Sequence, residues 1–199
     1  MCRTHLDGWR LSEDVDLLVD EPGRARDALD ALPETLRREF PDLELRWSRD
    51  GETWVAVLTT NGMAVHVHVV PRDPDYRRYP TARTPVVLRY EDLPSTVEID
   101  CPTRAGAAAM KLAAWADRAA ARDLCDLYGL EKIGALSAEA MRIVADAARP
   151  VGPLDFADRR RPSDEAWQAQ LAHQMAQPPE VSLAFTTVRD AVVALTQEP

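Results

Sequence analysis

Asp14 and Asp16, in the stretch "RLSEDVDLLVD", are two carboxylates one residue apart at the head of an apolar run. On a β-strand, side chains alternate between faces, so both would point the same way. Two such carboxylates can hold one or two Mg²⁺ ions, which favour hard oxygen ligands and bridge to phosphate oxygens. The same triplet is also common as a charged surface turn. A second group lies in "KLAAWADRAAARDLCDLYGL", Lys111 to Leu130. On one continuous helix, Lys111, Arg118 and Arg122 would share a stripe, with Asp126 at its edge. Such a stripe can bind a phosphate chain or be a solvated charged face. A third pair, His66 and His68 in "MAVHVHVV", falls on one strand face, either as metal ligands or as polar residues of an exposed hairpin.

These residues need elements to hold them. "VDLLV" reads as a short buried strand, and "EPGRARDALDALPETLRREF" as a helix that Pro33 kinks or divides. "LELRWS", "TWVAVLTT" and "MAVHVHVV" read as strands. Asn61-Gly62, which tolerates the positive φ of a tight turn, joins the last two. "PRDPDYRRYPTARTP" is rich in proline and arginine and reads as an exposed loop, followed by strand-like "VVLRY" and "TVEID". From Thr103 onward the chain is alanine-rich and helical. The expected class is α+β: a mixed sheet with flanking helices over residues 1–102, then a helical domain over 103–199. One geometric condition follows. A straight helix from Lys111 to Asp126 would be about 22 Å long, so the two meet only if the chain bends near Arg118 to Arg122, where no glycine or proline stands.

At 199 residues the chain can bury a substantial core, and its 46% hydrophobic and 29% charged residues are ordinary for a globular protein. A net charge of −9 argues against a general polyanion-binding surface but leaves room for one local basic groove. Cys2, Cys101 and Cys125 have no metal-type spacing and suit free thiols in a reducing cytoplasm. The start "MCRTHLDGWR" lacks the apolar core of a signal peptide, and no run is long enough to cross a bilayer. Trp47, Trp54, Trp115 and Trp167 are scattered, as packing residues are. Arg159 to Arg161 sit among Asp155, Asp158 and Asp164 and read as a solvated turn. The stretch Arg72 to Arg83 is the better RNA candidate, and "VSLAFTTVRDAVVAL" suits helix packing or a partner contact.

Taken together, "HLDGWRLSEDVDLLVD" and "AAMKLAAWADRAAARDLCDLYGL" resemble two motifs of the AbiEii/AbiGii toxin family of nucleotidyltransferases, in the same order. The resemblance covers roughly residues 5 to 130. It implies a core like that of DNA polymerase β, a toxin paired with a cognate antitoxin, and transfer of a nucleotide from a nucleoside triphosphate with Mg²⁺ or Mn²⁺. Some members act on the 3′ end of tRNA, and some serve in phage defence. By position, Asp14 and Asp16 would be the metal carboxylates and Lys111 would contact the nucleotide phosphates. Asp123 or Asp126 would support catalysis or the placement of that lysine, and Ser12, Arg118 and Arg122 would lie beside the nucleotide.

Two features of the family pattern are not met. A Gly-Gly or Gly-Ser loop that cradles the triphosphate is absent from the residues ahead of Arg10. The position of a third carboxylate is taken by His68, which would then be a metal ligand of a different kind. The alternatives to an RNA-modifying toxin are a degenerate member acting as a binding module, and a transferase acting on a small molecule or a protein hydroxyl.

Overall fold

The computed structural model describes residues 14–71, 76–87 and 96–197. Ser12, Cys2 and Arg72, together with the end of the strand-like "VVLRY", lie outside the described residues. Two compact units divide the chain at residues 77 and 78. That division falls ahead of the composition change at 102 and 103.

The first unit is a four-stranded mixed sheet in the order β1 (Asp14–Val19), β4 (Met63–Pro71), β3 (Thr53–Thr60), β2 (Glu44–Asp50). β1 is parallel to β4, and the other neighbours are antiparallel. A parallel pair needs a long crossover. Here it contains α1 (Pro22–Asp30), α2 (Leu32–Leu36) and the β2–β3 pair. Pro22 stands in the first turn of α1, where a missing N–H costs nothing. Pro33 divides the helical stretch in the way its chemistry dictates: α1 ends at Asp30 and Pro33 occupies the first turn of α2. Asn61 and Gly62, with φ of 47° and 77°, close the β3–β4 hairpin between Thr60 and Met63.

One face of the sheet is apolar. Ala56, Val67 and Val69 pack with Leu29 of α1, surrounded by Leu17, Val19, Leu45, Trp47, Trp54 and Leu58. Trp47 and Trp54 meet edge to face at 6.3 Å, and the Arg26 guanidinium lies 4.7 Å from the Trp54 ring centre. Because side chains alternate, burying Leu17, Val67, Ala56 and Trp47 forces their neighbours onto the opposite face. Those neighbours include Asp14, Asp16, His66 and His68.

The second unit holds the hairpin of β5 (Thr81–Val87) and β6 (Thr96–Pro102), then five helices among the described residues: α3 (Arg104–Arg118), α4 (Ala121–Lys132), α5 (Ala138–Ala147), α6 (Asp164–Leu171) and α7 (Val181–Gln197). The expected exposed loop ends earlier than its composition suggests, since Thr81 to Pro85 already belong to β5. Pro85 is tolerated there because a two-stranded ribbon has only edges. Thr103 caps α3, its hydroxyl accepting from the Gly106 N–H at 3.0 Å. The alanines of α3 let its neighbours approach closely: Ala105, Ala107 and Ala108 pack with Leu130, Ala135 and Ala140. Trp115 stacks on Phe156 at 5.5 Å and meets Phe185 at 6.3 Å, and its indole N–H donates to the Asp155 carbonyl. Trp115 and Trp167 are therefore core residues, as their scatter implied. Cys101 and Cys125 are buried, and Cys125 Sγ lies 3.4 Å from Met175 Sδ. Among the described residues, no helix is long and apolar enough to cross a membrane.

Candidate functional site

Asp14 and Asp16 are the first and third residues of β1, inside the strand rather than in a turn before it. The parallel register sets Asp14 opposite His66 and Asp16 opposite His68. All four therefore project from one face. One ligand atom from each of Asp14, His66 and His68 lies within 4.8 Å of the others. Asp16 is held differently: its Oδ1 is 2.9 Å from His68 Nδ1. The two histidines are thus metal-type neighbours of the carboxylate pair, and His66 belongs to the group as closely as His68 does. The sequence signal for His66 was its two-residue spacing from His68. What the sequence could not show was the β1–β4 register.

In the second unit, the expected single helical stripe is two helices. α3 stops at Arg118, Ala119 adopts a left-handed conformation with φ of 49°, and α4 begins at Ala121. This is the bend that Lys111 and Asp126 required. Lys111 Nζ lies 2.8 Å from Asp126 Oδ2 and 3.1 Å from Asp123 Oδ1. Arg118 grips Asp123 with two bonds, Nε to Oδ2 at 2.7 Å and Nη2 to Oδ1 at 3.0 Å. Both carboxylates are fully buried, whereas the Lys111 side chain keeps 19% of its surface exposed. Burial alone would raise the Asp123 carboxyl. The Arg118 hydrogen bonds and the charges of Lys111 and Arg118 outweigh it and hold the group below its ordinary 3.8. Arg122, one residue before Asp123, is exposed.

The break is fixed by residues far away in sequence. A helix end leaves carbonyls without partners. Here Arg160 Nη2 donates to the Trp115 and Ala116 carbonyls at 2.8 and 2.7 Å, and Arg149 Nη2 reaches Ala116 at 3.2 Å. Asp155 in turn holds Arg149 at 2.6 Å. Arg160 is thus a helix cap, which corrects the reading of Arg159 to Arg161 as a plain solvated turn. The described arginines of the proline-rich stretch also have protein partners: Arg77 bonds Asp20, Arg78 the Asp146 carbonyl, and Arg83 lies near Glu98 and Asp100.

A mixed sheet helix-covered on one face, with paired carboxylates on the other at its edge strand, is the architecture of a nucleotidyltransferase-type fold. The structure is similar to that of MenT4, a nucleotidyltransferase toxin from Mycobacterium tuberculosis H37Rv, with a TM-score of 0.64 and 19% identity. The match covers 100% of this chain and 73% of that one. No curated protein sequence matches. The family model described as nucleotidyl transferase AbiEii toxin, type IV toxin–antitoxin system, matches residues 3–192, and the chain belongs to that family. Membership makes it a nucleotidyltransferase-type toxin of a type IV toxin–antitoxin system, which implies an antitoxin partner and a nucleoside triphosphate substrate.

Proposed function

We propose that this chain transfers a nucleotide from a nucleoside triphosphate to an RNA hydroxyl in a divalent-cation-dependent reaction, the 3′ end of tRNA being the first acceptor to test. The reading places the protein in the cytoplasm, with a cognate antitoxin restraining it. The observation that carries it is the placement of Asp14 and Asp16 on one exposed face of an edge strand, beside two imidazoles. That donor set fits a divalent cation, since carboxylate oxygen and imidazole nitrogen both bind such ions. A bound cation, Mg²⁺ or Mn²⁺, would neutralise charge on the oxygens of the reacting phosphate and of the leaving pyrophosphate.

The chain's own residues have distinct parts in this scheme. Asp14 and Asp16 hold negative charge where the cation binds. Lys111 is the phosphate contact, and its ammonium has three donors, of which Asp123 and Asp126 engage two. Those carboxylates are positioning residues: they fix the amine in place. Arg118 closes the network from its exposed side and stands with Arg122 and Ser12 as the remaining nucleotide-binding candidates. In the reaction, the acceptor hydroxyl's oxygen bonds to the α-phosphorus as the bond to pyrophosphate breaks, and the hydroxyl proton is released to water. Asp14 and Asp16 would hold the cation that offsets the negative charge growing on the phosphate oxygens in that transition state.

A second reading, a binding module that keeps the fold without transfer, is favoured by His68 standing where the family pattern has a carboxylate. One experiment separates the two. Total tRNA is incubated with the protein, labelled nucleoside triphosphates and either Mg²⁺ or Mn²⁺. Label is expected in RNA with wild type and is expected to be absent with Asp14→Ala or Asp16→Ala. No incorporation by wild type with either cation, and no growth defect on expression, overturns the transferase reading.

A further inference from the structure

The sheet edge differs from an all-oxygen cation site in a way that bears on which metal it takes. Three groups converge there within 4.8 Å, and two of them, His66 and His68, are imidazoles. Mg²⁺ demands near-octahedral oxygen coordination and gives up its waters reluctantly. Imidazole nitrogen suits first-row transition ions. The fourth group, Asp16, is bonded to His68 Nδ1 at 2.9 Å. A carboxylate accepting from one ring nitrogen fixes the tautomer and leaves the lone pair on the other, which is how metal-bound histidines are generally oriented. Both pairs sit on adjacent strands in fixed parallel register, so the arrangement does not depend on a loop.

We propose that Asp14, His66 and His68 form a transition-metal site, with Asp16 as the positioning carboxylate of His68, and that the site holds Mn²⁺ in preference to Mg²⁺. This goes beyond nucleotidyl transfer and does not rest on it. It also reassigns Asp16: the residue expected to ligate the cation acts on it through His68.

The test is Mn²⁺ binding to the full chain after treatment with a chelator. Titration is followed by the electron paramagnetic resonance of free Mn²⁺, with Mg²⁺ as competitor. Bound Mn²⁺ is expected to persist under about a hundredfold excess of Mg²⁺, and pulsed measurements are expected to show coupling to imidazole ¹⁴N. His66→Ala and Asp14→Asn should weaken binding by about a hundredfold or more. Asp16→Asn should weaken it by about ten- to a hundredfold while the ¹⁴N coupling remains. Displacement by equimolar Mg²⁺, absence of ¹⁴N coupling in wild type, or unchanged affinity in His66→Ala each overturns the proposal. RNA labelling with Mg²⁺ by a protein that binds no Mn²⁺ would sink this inference and leave the transferase reading standing. Mn²⁺ binding without labelling would do the reverse.

Discussion

The sheet edge and the α3–α4 corner both bring two aspartates close together, and they treat them in opposite ways. Asp123 and Asp126 are fully buried, and their charges meet Lys111 and Arg118 at 2.7 to 3.1 Å. Asp16 is two-thirds exposed, and it bonds a histidine ring rather than a permanent cation. A buried carboxylate must be paired within the fold, because leaving it alone in a dry interior is very costly. An exposed one keeps its water and can exchange it for a metal or a phosphate-bound ion. The corner therefore shapes a lysine, while the edge keeps capacity for a ligand.

The largest expected effect tests that contrast directly. Asp123→Ala strands Lys111 and Arg118 around a buried gap, and loss of one partner of a buried pair costs about 3–5 kcal/mol. Asp16→Ala removes an exposed pair and should cost less than about 1 kcal/mol. Urea unfolding followed by tryptophan fluorescence measures both. Similar costs at the two positions would break the comparison. A small cost at Asp16 also means that loss of labelling in Asp16→Ala reports chemistry rather than unfolding.

A middle-sized effect concerns acid. Asp123 and Asp155 are both held below the ordinary 3.8 against the opposing effect of burial, Asp123 chiefly by Arg118 and Asp155 chiefly by Arg149. For a depressed carboxyl, the unfolded chain takes up its proton first as pH falls. The stabilisation is therefore complete above the unfolded value and drains away as pH drops toward the folded one. The urea midpoint of the helical unit should fall between about pH 5 and about pH 3. Asp123→Asn should flatten that slope, and an unchanged slope would show that Asp123 is not the group responsible.

How legible all this was depended on whether the determinants were local. Asn61-Gly62, the alternating strands and the break at Pro33 are dictated by neighbours in sequence, and the structure bears them out. The first part of β5, Thr81 to Pro85, was read as a loop because Pro85 and the arginines look like loop chemistry, which a two-stranded ribbon accommodates. The common face of His66 and His68 was visible from their spacing. Its apposition to Asp14 and Asp16 was not visible in spacing, and only the family resemblance implied it for His68, because residues far apart in the chain set that register. The α3–α4 break was visible only as a need, since its makers are Arg118 gripping Asp123 and the caps Arg149 and Arg160, all side chains acting across sequence.

The smallest expected effect lies at that break. Ala119 sits at φ of 49°, a conformation that an alanine adopts at a cost of about 1–2 kcal/mol because its Cβ crowds the following carbonyl. Glycine would remove that crowding, at the cost of a more flexible unfolded chain that offsets about 0.4–1 kcal/mol. Ala119→Gly should therefore raise the stability of the helical unit by up to about 1 kcal/mol, read as a higher urea midpoint. The sign is the informative part. Stabilisation means that tertiary contacts hold the left-handed turn against the residue's own preference. A decrease would mean that the turn suits alanine and that the Arg118–Asp123 grip follows the break rather than enforcing it. In the first case the Lys111 network shapes the backbone to place its lysine, and the α3–α4 corner earns its contrast with the sheet edge, where strand register alone aligns the groups.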